Sequence, residues 1–139
     1  MFCCELISGL WIGDTDIMHS KKFLEENDIK IIINFTIDIG FPENSEIKNI
    51  RIPVSEQLKY SNDVIKLNTY LKDLLNLIKN NTDKNNILLS CYDGKSVSPL
   101  IVALYIIKNT SVSKDTVRQL IQSKCKDISL DYELSVFDI

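Results

Sequence analysis

The run Ile87-Leu88-Leu89-Ser90-Cys91-Tyr92-Asp93-Gly94-Lys95-Ser96-Val97-Ser98-Pro99 holds the residues best suited to chemistry. An apolar, strand-like stretch enters a polar loop containing a glycine, and an apolar, helix-like stretch follows. A loop of that kind points its amides and the positive end of a helix at one place, which makes a seat for an anion. Cys91, at the strand end, would be favoured there as a thiolate, a nucleophile able to attack phosphorus. Gly94 allows the turn, and Ser98-Pro99 opens the helix, with the proline in the first turn where its missing amide costs nothing. Asp93 works against this: a carboxylate beside the thiol disfavours a thiolate and repels an anion unless Lys95 pairs with it. A lone buried cysteine is ordinarily a small core residue, so the case for Cys91 rests on the pattern around it.

The flanking elements alternate between short apolar runs and helical periodicity. Leu10-Trp11-Ile12 reads as a strand ending at Gly13, Ser20 to Asn27 as a short helix, and Ile31-Ile32-Ile33-Asn34 as a strand buried on both faces. Asn49 to Ile52 gives a strand stopped by Pro53. Val64, Leu67, Leu71, Leu74, Leu75 and Ile78 recur at helical spacing and predict a long amphipathic helix capped by Ser61 or Asn62. A polar loop from Lys79 to Asn86 leads to the strand before Cys91, Pro99 to Lys108 is a nearly all-apolar helix, Ser113 caps a helix to about Lys124, and Asp131 to Phe137 forms a last short one. This order implies an α/β sandwich with a mostly parallel central sheet, in one domain spanning residues 1–139.

The loop resembles the signature of cysteine-dependent protein phosphatases, H-C-x-x-G-x-x-R-[ST], in their dual-specificity branch. The resemblance covers most of the chain: Leu10-Trp11-Ile12-Gly13 is similar to the family's L-[YW]-[IL]-G, Ile31 to Asn34 to its I-[IL]-N strand, Ile52-Pro53-Val54 to the strand before the acid loop, and Ala103 to Ile107 to its A-Y-L-M helix. Within the family the chain is most similar to the compact H1-type phosphatases of poxviruses, including Pro42-x-Asn44-Ser45, without their extra N-terminal helix. The resemblance implies a protein tyrosine phosphatase-like α/β fold, a phosphate loop from Ser90 through Tyr92, Asp93, Gly94, Lys95 and Ser96 to Val97, Cys91 as nucleophile, and Ser98 as the hydroxyl that assists release of the thiol. It puts Glu56 at the place of the general acid, where the family has aspartate.

Four positions depart from the pattern. Val97 stands where the family's arginine clamps two phosphoryl oxygens, a role that needs a planar fork and a permanent charge; losing such an arginine costs roughly 10³ to 10⁵ in rate. Ser90 replaces the histidine, Asp93 adds a like charge, and the longer Glu56 side chain would need repositioning to serve as acid. The expected function is therefore that of a pseudophosphatase, binding a protein partner or a phosphorylated segment without hydrolysis. The alternative is a weak or specialised phosphatase in which Cys91 is used and Lys95 partly substitutes for arginine. Lys95 and Asp93 also read as a plain ion pair closing the loop, Glu56 as a solvated carboxylate and the lone His19 as a solvated side chain.

Bulk properties narrow the remaining classes. A net charge of −3 over 139 residues supplies no basic excess for nucleic acid, and no apolar stretch approaches the roughly 20 residues needed to span a bilayer. Cys3, Cys4, Cys91 and Cys125 have neither metal-ligand spacing nor disulfide-scaffold density. The chain is expected to hold reduced thiols, no metal and no cofactor, and to act in the cytoplasm (the host cytoplasm or the virion, if viral). The sequence leaves the oligomeric state open.

Overall fold

A computed structural model describes all 139 residues. The chain starts with a hairpin, β1 (Cys3–Ile7) and β2 (Leu10–Gly13), turned by Gly9 at φ +78°. Two short helices, α1 (Thr15–Met18) and α2 (Lys21–Glu26), lead to β3 (Ile29–Asn34) and then β4 (Lys48–Arg51). A 3-10 turn (Glu56–Leu58) precedes the long α3 (Ser61–Asn81), followed by β5 (Asn86–Ser90), α4 (Val97–Asn109), α5 (Lys114–Lys124) and a final 3-10 turn (Leu134–Val136). The sheet order is β1-β2-β5-β3-β4, with β2, β5, β3 and β4 parallel and β1 antiparallel at one edge.

Strand periodicity divides the core in two. Ile31, Ile33, Ile87 and Leu89 face α3, α4 and α5 in the larger apolar cluster, while Ile32 and Leu88 face α1 and α2 in the smaller one. The run of isoleucines in β3 therefore serves both faces at once. Trp11 meets Phe23 edge to face at 5.2 Å on the smaller side. On α3, Leu67, Leu71, Leu74, Leu75 and Ile78 are buried as their spacing predicts, each contributing about 1.5–3 kcal/mol of transfer free energy. No helix is long and apolar enough to cross a membrane.

Several boundaries differ from the sequence reading for local reasons. The cap of α3 is Tyr60, because the Asp63 carboxylate reaches back to the Tyr60 N–H at 3.0 Å. Helix α4 begins at Val97, ahead of Ser98-Pro99, so Pro99 falls third in the first turn. The last segment forms only a single 3-10 turn. Strand β1 was not expected, since Cys3-Cys4-Glu5-Leu6-Ile7 carries little alternation; pairing with β2 makes it a strand. The Ser113 cap holds as predicted, accepting the Thr116 N–H at 3.2 Å.

The register matters most for function. Gly13 pairs with Ser90, Asn34 with Ser90, and Asn34 with Arg51, so the parallel strands end level with one another. The loops that follow these four strands converge at the carboxyl edge of the sheet, where open α/β sheets place their ligands.

Candidate functional site

The loop after β5 rests on the turn after β2. Gly94 has φ +73°, and a Cβ there would lie 2.6 Å from both the Gly13 carbonyl carbon and the Asp14 nitrogen, so only glycine fits. The Cys91 N–H donates to the Gly13 carbonyl at 3.2 Å, and the Ser90 hydroxyl donates to the Asp14 carbonyl at 3.0 Å. Asp14 is the anchor of this floor. Its carboxylate accepts the Ile17 N–H at 2.9 Å, capping α1, and the Phe2 N–H at 2.7 Å, while its own N–H donates to the Phe2 carbonyl at 3.1 Å.

Cys91 is 1% exposed. Its sulfur accepts the Ser98 N–H from the start of α4 at 3.4 Å, and its thiol donates to Asp93 Oδ1 at 3.7 Å. The same Oδ1 accepts the Lys95 N–H and the Ser96 hydroxyl, each at 2.9 Å. Burial alone would raise the Asp93 carboxyl, but these hydrogen bonds, with Cys91 and Gln57 adding to them, hold it below the usual aspartate range. The expected Lys95–Asp93 ion pair does not form: the chain's ion pairs are Lys21–Glu25, Lys22–Glu26 and Lys30–Asp28. The Lys95 ammonium lies instead over the Phe2 ring, 5.2 Å from its centroid. Val97 is 1% exposed and belongs to the larger core cluster. Ser98 is buried with a hydroxyl that has no hydrogen-bond partner.

Tyr92 straps the loop to the segment after β3. Its hydroxyl donates to Asp38 Oδ1 at 2.6 Å and accepts the Ile37 N–H at 3.0 Å. Burial, reinforced by the Asp38 carboxylate, pushes its phenol up. That segment is held in turn by Arg51, which donates to the Thr36 carbonyl at 2.9 Å and the Ile39 carbonyl at 2.7 Å and stacks on Phe41 at 5.1 Å. The other arginine, Arg118, donates to the Tyr132 carbonyl at 2.5 Å. Both guanidinium groups therefore donate to backbone carbonyls, and neither bonds the Cys91 sulfur.

The loop after β4 supplies the opposite wall. Glu56 is exposed. The following residues, Gln57 at φ +57° and Leu58 at φ +52°, adopt left-handed backbone without being glycine, a strained pair of the kind that functional loops retain. It is Gln57, rather than Glu56, that lines a cavity of about 220 Å³ together with Ser96, Ser129, Asp131 and Tyr132. The Tyr132 hydroxyl is buried without a hydrogen-bond partner. Burial pushes this phenol up to about 12, opposed by the Ser96 hydroxyl and with the neighbouring Cys91 and Asp93 adding to the rise. Buried Asp63 holds the wall in place by accepting the Ser55 N–H at 3.1 Å, the Ser55 hydroxyl and the Tyr60 N–H. No group of three or more His, Cys, Asp or Glu side chains is arranged to hold a metal ion.

The structure thus gathers Ser90 through Ser98 into one loop around the Cys91 sulfur and leaves Glu56 outside it. Sequence reading missed Asp14, Phe2, Gln57, Asp63 and Tyr132. Of these, Asp63 carried a signal, since an acid in the first turn of a predicted helix is a capping pattern; the others become neighbours of the loop only through the tertiary fold. His19, read as solvated, is exposed but bonds the Gly40 carbonyl at 2.8 Å.

A strand, a cysteine-bearing loop around a helix N-terminus, and an acid-loop wall at the carboxyl edge of a largely parallel sheet define a phosphatase-type architecture. The chain belongs to the family described as dual specificity phosphatase, catalytic domain, which matches residues 10–135. Solved structures agree on the fold. The crystal structure of DUSP15 superposes with a TM-score of 0.79 at 22% identity, over 93% of this chain and 80% of that one. A mouse putative dual specificity phosphatase complexed with zinc tungstate gives 0.76 at 18% identity, over 93% and 79%. The human tyrosine phosphatase-like serine/threonine/tyrosine-interacting protein gives 0.75 at 15% identity, over 93% and 87%. No curated protein matches the chain at the level of sequence.

Proposed function

We propose that this domain is a pseudophosphatase that engages a protein partner through the loop face without hydrolysing phosphoester. The observation that carries this reading is the absence of any free cation at the thiol. Val97 is packed into the core where a guanidinium fork would start, the Lys95 ammonium is on Phe2, and Arg51 and Arg118 are bonded to backbone carbonyls. Phosphoryl transfer is catalysed mainly by positioning and by charge around the equatorial oxygens, and this loop supplies amides without the charge. The exposed Glu56 adds to the reading, since an acid must sit within hydrogen-bond reach of its leaving group to be useful. One structural relative is named as a tyrosine phosphatase-like, serine/threonine/tyrosine-interacting protein, and that name supports the reading.

The test is hydrolysis of an aryl phosphate by the wild-type protein beside Cys91→Ser. Equal rates are expected, within the background of the preparation. A wild-type rate well above the Cys91→Ser control, or phosphate trapped covalently on Cys91, would establish the weak phosphatase instead.

A further inference from the structure

We propose that Asp93 is a built-in occupant of the loop's anion seat, so that the loop excludes phosphate and does not recognise a phosphorylated segment. This goes beyond the pseudophosphatase reading, on which it rests, by deciding between the two kinds of partner that reading allows.

The geometry is specific. A phosphorus poised for attack by Cys91 would lie about 3–3.5 Å from sulfur, with its oxygens directed at the loop donors. Asp93 Oδ1 already lies 3.7 Å from that sulfur and takes the Lys95 N–H and the Ser96 hydroxyl. An incoming oxyanion would have to displace the carboxylate from these donors or bind beside it. Neither route is helped by a countercharge, because Asp93 has no ion-pair partner and the Lys95 ammonium is engaged with Phe2. The carboxylate is half-buried. Gln57 approaches it from the loop after β4, and Gln57 lines an adjoining cavity together with Ser96 and Tyr132. Two like charges a few ångströms apart in such a partly enclosed site disfavour binding by one or more orders of magnitude.

The probe is inorganic phosphate, with tungstate as a second oxyanion, titrated into wild type, Asp93→Ala and Asp93→Asn and followed by the change in melting temperature and by calorimetry. Wild type is expected to show no stabilisation at millimolar anion. Asp93→Ala should gain binding at least about tenfold, with a rise in melting temperature that follows linkage. Asp93→Asn keeps an oxygen for the Lys95 N–H while removing the charge, so it should gain part of the effect with the loop intact.

A second measurement is independent of loop stability: the ratio of Cys91 carboxymethylation by iodoacetate to its alkylation by neutral iodoacetamide, read by mass spectrometry on the Cys91 peptide. Loosening the loop speeds both reagents, whereas removing the negative charge raises the ratio. An at least tenfold higher ratio in both variants is expected. Wild type that binds phosphate with an affinity Asp93→Ala does not improve, or a ratio unchanged in both variants, would overturn the proposal. The aryl phosphate assay separates the two readings. An inactive wild type that binds phosphate as tightly as the Asp93→Ala variant sinks only the Asp93 proposal, while an active wild type sinks the pseudophosphatase reading.

Discussion

Replacing Asp63 by alanine should destabilise the domain by about 3 kcal/mol, and the figure can be built from the contacts. Asp63 is 3% exposed and serves three donors: the Ser55 N–H, the Ser55 hydroxyl and the Tyr60 N–H. Tyr60 is exposed, so its freed N–H finds water, and its loss resembles that of an ordinary helix cap, about 1 kcal/mol. Ser55 is buried, and stranding its N–H costs roughly a further 1–3 kcal/mol. Its hydroxyl still accepts the Lys59 N–H at 2.9 Å and can turn, so it adds little. With a urea slope of about 2 kcal/mol/M for a domain of this size, the midpoint should fall by about 1.5 M at pH 7. Asp63→Asn keeps an acceptor and should lose less.

The hydrogen bonds outweigh burial and hold the Asp63 carboxyl below the usual aspartate range. A carboxylate lowered in the folded state gives stability that is fully present above its unfolded pKa and is lost as pH falls through the folded one. The gap between wild type and Asp63→Ala should therefore begin to narrow below about pH 4. A difference under about 0.5 kcal/mol at pH 7, or a gap that stays constant down to low pH, would refute the assignment of Asp63 as the charged staple of the acid-loop wall.

Gly94→Ala should cost about 3 kcal/mol or more in urea denaturation, from a left-handed φ and a Cβ at 2.6 Å from two backbone atoms, while Gly40→Ala, with nothing within 4 Å, should change nothing. Tyr132→Phe should leave stability within about 0.5 kcal/mol or raise it by up to about 1 kcal/mol, because the hydroxyl it removes is buried and unpartnered; thermal unfolding reads this directly. Arg51→Lys should cost about 1–2 kcal/mol and speed amide exchange across residues 36–41, since an ammonium cannot bridge the Thr36 and Ile39 carbonyls as the planar fork does. With no carboxylate partner for Arg51, adding salt should not reproduce that effect.

The elements that sequence revealed are those whose own residues determine them. The β-branched run in β3 could be buried on both faces only as a central strand, and the leucine spacing of α3 has one helical solution. Strand β1 was hidden because an edge strand is made by its partner, and the start of α4 was misplaced because proline marks a first turn without fixing its first residue. At the site, the order Cys91-x-x-Gly94 was enough to place thiol and turn. Which charges face the thiol was not legible. Lys95 and Asp93 are two apart in the chain and look like a pair, yet the Lys95 N–H and the Ser96 hydroxyl satisfy the carboxylate while an aromatic ring from the N-terminus takes the ammonium. Glu56 is exposed, as its reading as a solvated carboxylate expects, while the left-handed backbone at Gln57 and Leu58, which sequence does not reveal, accompanies a wall lined by the Gln57 amide.

The two altered charges of this loop are also coupled in how they could be undone. An arginine placed at position 97 would have to leave the core cluster that now holds Val97, and on the Asp93 proposal it would find that carboxylate in the anion seat and pair with it in place of a substrate phosphate. Removing Asp93 alone would open the seat and still leave it without a fork. On the proposed reading neither single change is expected to yield hydrolysis, so a population of variants selected for that activity would have no first step to climb from this sequence, and recovery would require at least both positions to change together.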